Sequence, residues 1–168
     1  MKVLGIDPGT LNLGWGFIET DQNGKSQFVE HDTLVVSSKL PFYERLHALD
    51  GMLEELLKTK APDVAVIENI FLGKSVDAAF KLGHIRGICA ARCQAVGAKV
   101  VEYSPRTVKM HITGSGKAEK EVVRQFLYQQ LGMRNTGKSL DASDALALAF
   151  CHVLQDSVRA KHRGMRVR

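Results

Sequence analysis

Four carboxylates stand at positions where an ionised side chain needs a partner. Asp7 closes the apolar run Val3-Leu4-Gly5-Ile6, directly before Pro8-Gly9. Glu68 closes the continuous apolar run Val64-Ala65-Val66-Ile67. Asp141 and Asp144 are three apart, ahead of Ala145-Leu146-Ala147-Leu148, a spacing that puts both on one face of a helix. A carboxylate at the end of a buried strand is costly unless it is paired, hydrogen-bonded or held on a metal. Each has a plainer reading alone. Asp141 can be a helix N-cap, helix N-termini favour negative charge, and a strand-end Glu can serve a structural hydrogen bond. Three separate elements that each deliver a carboxylate at one end point instead to a shared site. With few His or Cys ligands nearby, the set suits a hard cation with an oxygen shell, Mg²⁺ or Mn²⁺. Two such ions about 3.5–4 Å apart would make a phosphoryl-transfer site, one lowering the pKa of an attacking water and the other stabilising the leaving oxygen.

The elements that must carry these residues are legible in the periodicity. Residues 2–7 read as a strand that ends at the Pro8-Gly9 turn, and Asn12 to Ile18 as its hairpin partner. Asp21-Gln22-Asn23-Gly24 is a second turn, so a third strand from about Gln27 to Val36 completes a meander. Leu40, Tyr43, Leu46, Leu49, Leu53, Leu56 and Leu57 recur at helical spacing up to Pro62. Residues 64–67 read as a strand buried on both faces. Residues 75–96 form a long helix with two apolar stripes. One holds Val76, Phe80, Gly83, Gly87 and Ala91, the other Ala79, Leu82, Ile85, Cys89 and Cys93. One stripe can cover the sheet. The other is either buried within the same domain or a homodimer interface. Residues 99–103 are a short strand, and Ser104-Pro105 opens a helix with Ser as N-cap. Helices follow over about 118–131 and 141–156, separated by a polar loop over 132–139. The order βββαβαβ followed by helices predicts an α/β fold, a mixed five-stranded sheet with helices on both faces. Residues 1–156 form one domain, and 157–168 read as a basic, disordered tail.

At 168 residues, 45% hydrophobic and 24% charged, the chain suits one globular domain with a sizeable core. No apolar run reaches the roughly 18 residues a membrane helix needs, and the N-terminus is no signal peptide, so a cytoplasmic protein is expected. Cys89, Cys93 and Cys151 offer neither a disulfide framework nor zinc spacing and read as small buried residues. The charge is uneven. Residues 1–103 hold 11 Lys/Arg against 13 Asp/Glu, and residues 104–168 hold 12 against 5. A basic C-terminal half favours a polyanionic partner, because Lys and Arg neutralise phosphates and release counterions.

Several short motifs occur together in a characteristic order. Gly-Ile-Asp-Pro-Gly (5–9), Ile-Glu (67–68) with Phe71, Lys81-Leu82-Gly83 with Arg86-Gly87, Ala118-Glu119-Lys120, and Asp141-Ala142-Ser143-Asp144-Ala145 resemble, in order and spacing, the RuvC family of bacterial Holliday-junction resolvases. The resemblance runs from about residue 2 to 155. It implies a ribonuclease H-like fold, a homodimer and Mg²⁺-dependent paired nicking of four-way DNA junctions. The products would carry 5′-phosphate and 3′-hydroxyl ends, and the role would be in homologous recombination and DNA repair. It makes Asp7, Glu68, Asp141 and Asp144 ligands of two Mg²⁺ ions, with Mn²⁺ as a substitute, and matches Lys109 and Lys120 to basic residues near the scissile phosphate. Phe71 matches an aromatic that stacks on bases at the opened crossover. The RuvA–RuvB branch-migration complex is the implied further partner. The basic tail has no counterpart in the motif set.

The other candidates carry competing readings. Phe71 could close the edge of the core, and stacking on an unpaired base is worth roughly 1–3 kcal/mol. Lys120 could be a solvated helix residue or could offset charge on a phosphate. Lys74, Lys109 and Lys117 are candidate DNA contacts, and Ser115-Gly116-Lys117 could approach a phosphate backbone or form a mobile loop. His152 lies about 16 Å beyond Asp141 along a helix and is assigned to packing. His84 and His111 carry no signal. Gly-Ile-Asp-Pro-Gly-Thr (5–10) also resembles the first phosphate loop of actin-like and sugar-kinase-like ATPases, which need two such domains around the nucleotide. An inert junction-binding module is a third option, opposed by four acids that would repel a DNA backbone without a cation.

Overall fold

The computed structural model describes residues 1–22, 25–69, 75–134 and 137–165, with the backbone alone for residues 27, 28 and 159–165. Five strands form one sheet in the order β3-β2-β1-β4-β5. They are β1 (Lys2–Asp7), β2 (Asn12–Thr20), β3 (Ser26–Val35), β4 (Val64–Glu68) and β5 (Lys99–Tyr103). The meander β1–β2–β3 is antiparallel, and β4 and β5 add in parallel on the other side of β1. The sheet is thus mixed, as expected, and β1 is its central strand.

Strand alternation divides the core in two. Val3, Val64 and Val66 face helices α3 (Pro105–Thr113), α4 (Lys120–Gln130) and α5 (Leu140–Met165). Leu4, Ile6, Ala65 and Ile67 face α1 (Phe42–Lys60) and α2 (Val76–Ala95). Asp7 and Glu68 continue the Val3 and Val64–Val66 registers, so both belong to the α5 side. Helix boundaries follow local chemistry. Ser104 accepts from the Thr107 N–H at 3.1 Å, with Pro105 at the first helical position, and Gly114, at φ 76°, closes α3. Ser75 caps α2 by accepting from the Ala78 N–H at 3.2 Å.

One boundary differs from expectation. The last helix does not stop at Asp156 but continues to Met165, so the segment read as a disordered tail begins as helix. No Pro lies beyond Asp156, and Val158-Arg159-Ala160-Lys161 contains nothing that breaks a helix.

The backbone approach of α5 to the sheet is very close. A Cβ added at Gly5 would lie 1.9 Å from the Ala145 carbonyl oxygen, and one at Gly14 would lie 2.1 Å from that of Asp141. Glycine is therefore required there: α5 rests in a trough from which side chains are absent. That trough lets the first turn of α5 reach the end of β1.

Candidate active site

The parallel register of β1 and β4 pairs Ile6 with Ile67, which sets Asp7 beside Glu68 one residue further on. Both strands end here, and α5 starts over them. Asp141 lies in its first turn, and Asp144 lies three residues on. Burial pushes the Asp7 carboxyl up to about 8, and the charges of Glu68, Asp144 and Asp141, in that order, push the same way. Glu68 is raised too, first by burial and then by Asp144. The three other carboxylates expected from the sequence to share a site with Asp7 are close enough to act on it.

Cationic groups partly offset this repulsion. Lys120, at the start of α4, pairs with Asp144. Burial works against its charge, but the hydrogen bond to Asp144 and the fields of Asp144, Asp7 and Glu68 outweigh that and raise its pKa. Lys109 on α3 lines the same cleft as Glu68, Lys120 and Asp144, and its charge acts to lower Glu68. Lys117 is exposed in the turn between α3 and α4 and does not line that cleft. Phe71 and Lys74 lie outside the described residues. His152 is buried and hydrogen-bonded through Nδ1 to the Tyr103 hydroxyl at 2.9 Å, in keeping with packing.

Arg86 was not singled out as a site residue by sequence, although it sits in the Arg86-Gly87 motif. From α2 its charge reaches Glu68 and acts to lower it, while its Nη2 donates to Glu102 at 2.5 Å. Its Nε is buried without a partner among the described residues. The signal available was a basic residue on the inner side of the helix that follows the Glu68 strand.

Among the described residues no three of His, Cys, Asp and Glu form a ready-made metal cage. The donor set nevertheless fits a hard divalent cation. It is all carboxylate oxygen, and burial first, then the neighbouring acids, push the Asp7 carboxyl up, a cost of ionisation that a cation would relieve.

Residues 3–152 match the family described as crossover junction endodeoxyribonuclease RuvC. The chain belongs to that family. It is 39% identical over 160 residues to the RuvC of Bdellovibrio bacteriovorus, covering 95% of this chain and 94% of that protein. The structure of Thermus thermophilus RuvC superposes with a TM-score of 0.83 at 28% identity, covering 94% of this chain and 96% of that one. The same protein in complex with a Holliday-junction substrate gives 0.85, with the same identity and coverage. The fold is therefore the ribonuclease H-like architecture of RuvC, and the chain is a nuclease of the crossover-junction class, a hydrolase of phosphodiester bonds.

Proposed function

We propose that this chain resolves four-way DNA junctions by paired symmetric nicks, using Asp7, Glu68, Asp141 and Asp144 to hold two Mg²⁺ ions. The observation that carries the reading is the convergence of the β1 and β4 ends with the start of α5, where burial and then three neighbouring acids raise the carboxyl of Asp7. When bound, such ions supply the Lewis acidity that lowers the pKa of an attacking water and stabilises the leaving oxygen. The protein's own residues do the rest. The strand ends fix Asp7 and Glu68 in place, and the trough under α5 fixes Asp141 and Asp144 relative to them. Lys120 releases Asp144 and offers its charge to the scissile phosphate, and Lys109 holds the backbone beside it. Lys74 and Lys117 extend the basic contact, and Phe71 stacks on a base at the opened crossover.

Paired cuts require two active sites in fixed symmetry, and α2 supplies a surface for that. Ile85, Cys89 and Cys93 are in the core, whereas Val76, Phe80, Gly83, Gly87 and Ala91 are exposed. Val76, Ala79, Phe80, Gly83 and His84 line an apolar depression of about 410 Å³. A second copy of the chain packed on this stripe gives the homodimer. No helix among the described residues is long and apolar enough to cross a membrane. We place the enzyme in the cytoplasm beside its DNA substrate, with a RuvA–RuvB branch-migration complex as its proposed partner.

The test incubates the full chain with four-way junction, linear duplex and single strand, with and without Mg²⁺. Symmetric nicks with 5′-phosphate ends should form only in the junction with metal. Asp7→Asn should abolish them while junction binding stays largely intact. Wild-type nicking by that variant would sink the metal assignment.

A further inference from the structure

The first turn of α5 is held from outside by three consecutive residues of β3. Thr33 Oγ1 hydrogen-bonds Ser139 Oγ at 2.5 Å, and that same hydroxyl caps α5 by accepting from the Ala142 N–H at 3.1 Å. Asp32 pairs with Lys138. His31, which is buried, reaches further through a second helix: its Nε2 meets the Tyr128 hydroxyl at 3.1 Å, and that hydroxyl meets Ser143 Oγ at 3.0 Å. Tyr128 is on α4, the helix that also carries Lys120, and Ser143 is the residue between Ala142 and Asp144 on α5.

The donors in this buried chain can be ordered. Ser143 donates its hydroxyl proton to the Ser139 carbonyl at 3.1 Å. Its oxygen is then free to accept from the Tyr128 O–H, and the Tyr128 oxygen accepts from His31 Nε2–H. A buried hydroxyl left without a partner is costly, so each member has a reason to hold the next in place. Burial, followed by the charge of Lys138, lowers the His31 pKa against the opposing field of Asp32, consistent with a neutral imidazole that donates through Nε2.

We infer that His31, Tyr128 and Ser143 are positioning residues that lock the Asp141–Asp144 face of α5 to β3 and α4 and thereby set how tightly that face takes up a divalent cation. The inference rests on the reading of the four carboxylates as a cation site. None of the three touches the reacting atoms. They act through the helix turn that carries two of the acids, and through α4 they tie that turn to the helix that presents Lys120. The apolar contacts of α5 with the trough fix its height above the sheet. The polar chain fixes its rotation and its slide along the strands, which apolar packing specifies less sharply.

The test titrates Mg²⁺ alone into the full chain without DNA, by calorimetry, and measures junction cleavage against Mg²⁺ concentration in parallel. Tyr128→Phe and Ser143→Ala should each weaken Mg²⁺ binding about tenfold, the scale on which groups that orient metal ligands act. Junction affinity should be unchanged, and saturating Mg²⁺ should restore most of the cleavage rate, which loss of folded protein would not allow. His31→Gln, whose amide can still donate, should stay near wild type, and His31→Leu should follow Tyr128→Phe. Ser143→Ala suits the helix and keeps the inference testable if Tyr128→Phe folds poorly. Wild-type Mg²⁺ affinity in both Tyr128→Phe and Ser143→Ala overturns it. Asp144→Asn is the arm that separates the two readings: if it too binds Mg²⁺ as wild type, the cation site itself is wrong, and if it alone is weakened, only the positioning role is lost.

Discussion

The two faces of the sheet are built on opposite principles. The face under α1 and α2 is filled by Leu4, Ile6, Leu13, Trp15 and Phe17 against Leu46, Leu49, Leu53 and Ile85, an apolar seam edged by Lys60, whose ammonium lies 5.3 Å from the Trp15 ring centre and 5.5 Å from that of Phe17. The face under α5 has backbone laid on glycine, and the three buried polar residues among the described ones, His31, Ser143 and His152, are on it. Apolar packing tolerates small shifts, because dispersion and burial are non-directional. Hydrogen bonds and backbone contact do not. The protein therefore keeps its directional restraints on the face that must hold four acids in register, and leaves the forgiving contacts on the face whose outer surface, the exposed stripe of α2, is proposed to meet a second copy.

The sharpest way to break this contrast is one substitution in the trough, compared with a control on the solvent side of α1. Gly14→Ala would put a methyl group 2.1 Å from the Asp141 carbonyl oxygen and 2.4 Å from its carbon, so α5 has to lift at the site. Overpacking of this kind costs about 1–3 kcal/mol, and a misplacement of about 1 Å at catalytic groups can cost on the order of 100-fold in rate. Gly51→Ala, in the exposed part of α1, meets nothing within 4 Å and should stabilise by up to about 1 kcal/mol, with cleavage unchanged. Thermal melts and junction cleavage of the two variants decide it. Equal effects would mean that the trough is not what places Asp141.

A smaller effect is expected from the outer stripe of α2. Phe80 is 66% exposed, so Phe80→Asp should leave the melting temperature of the fold nearly unchanged. An aromatic anchor at the centre of an interface is commonly worth about 2 kcal/mol or more, so the proposed dimer should dissociate at concentrations more than tenfold higher than for wild type. Sedimentation equilibrium reads this directly. An unaltered dimer constant would detach this stripe from assembly, and paired cutting would need another surface.

Much of this could be read from the chain alone, for identifiable reasons. Asp7 and Glu68 end strands and Asp141 and Asp144 lie near the start of a helix, each in a local apolar pattern, so a shared site was suggested by the sequence, while the convergence itself needed the packing of α5 on the sheet. The two stripes of α2 were legible because a helix needs only one to cover a sheet, and Val76 and Phe80 are indeed exposed. What escaped depends on contacts distant in sequence. Gly5, Gly14 and Gly16 looked like ordinary strand residues, although glycine within a strand is itself a sign of close backbone approach. Arg86 was visible only as part of a motif, because its reach to Glu68 needs the packing of α2 on β4. His31 and Tyr128 are 97 positions apart, and no periodicity joins them. The end of α5 was placed too early because basic composition was taken as a sign of disorder where the residues are also good helix formers.

The last expected effect concerns the charge stored at Asp7 in the protein without metal. Its carboxyl is raised from 3.8 to about 8, first by burial and then by Glu68, Asp144 and Asp141. A group that binds its proton more tightly when folded stabilises the fold at low pH, and the contribution is lost as pH rises. The unfolded chain releases the proton near 3.8, whereas the folded chain keeps it to about 8, so the Asp7 contribution falls across that whole window and is absent above it. Asp7→Asn carries a neutral side chain at every pH and removes this slope. In metal-free buffer the wild-type melting temperature should decline between pH 5 and pH 8 more steeply than that of Asp7→Asn, and at pH 8 the variant should be the more stable by several degrees. Mg²⁺ should narrow that gap by stabilising the wild type, whose ionised carboxylate it neutralises, more than the variant. Parallel melting curves for the two proteins across pH 5–8 would show that the acids on this face do not strain the fold, and the contrast between a directional, charge-loaded face and a mainly apolar one would then rest on glycine and hydrogen bonds alone.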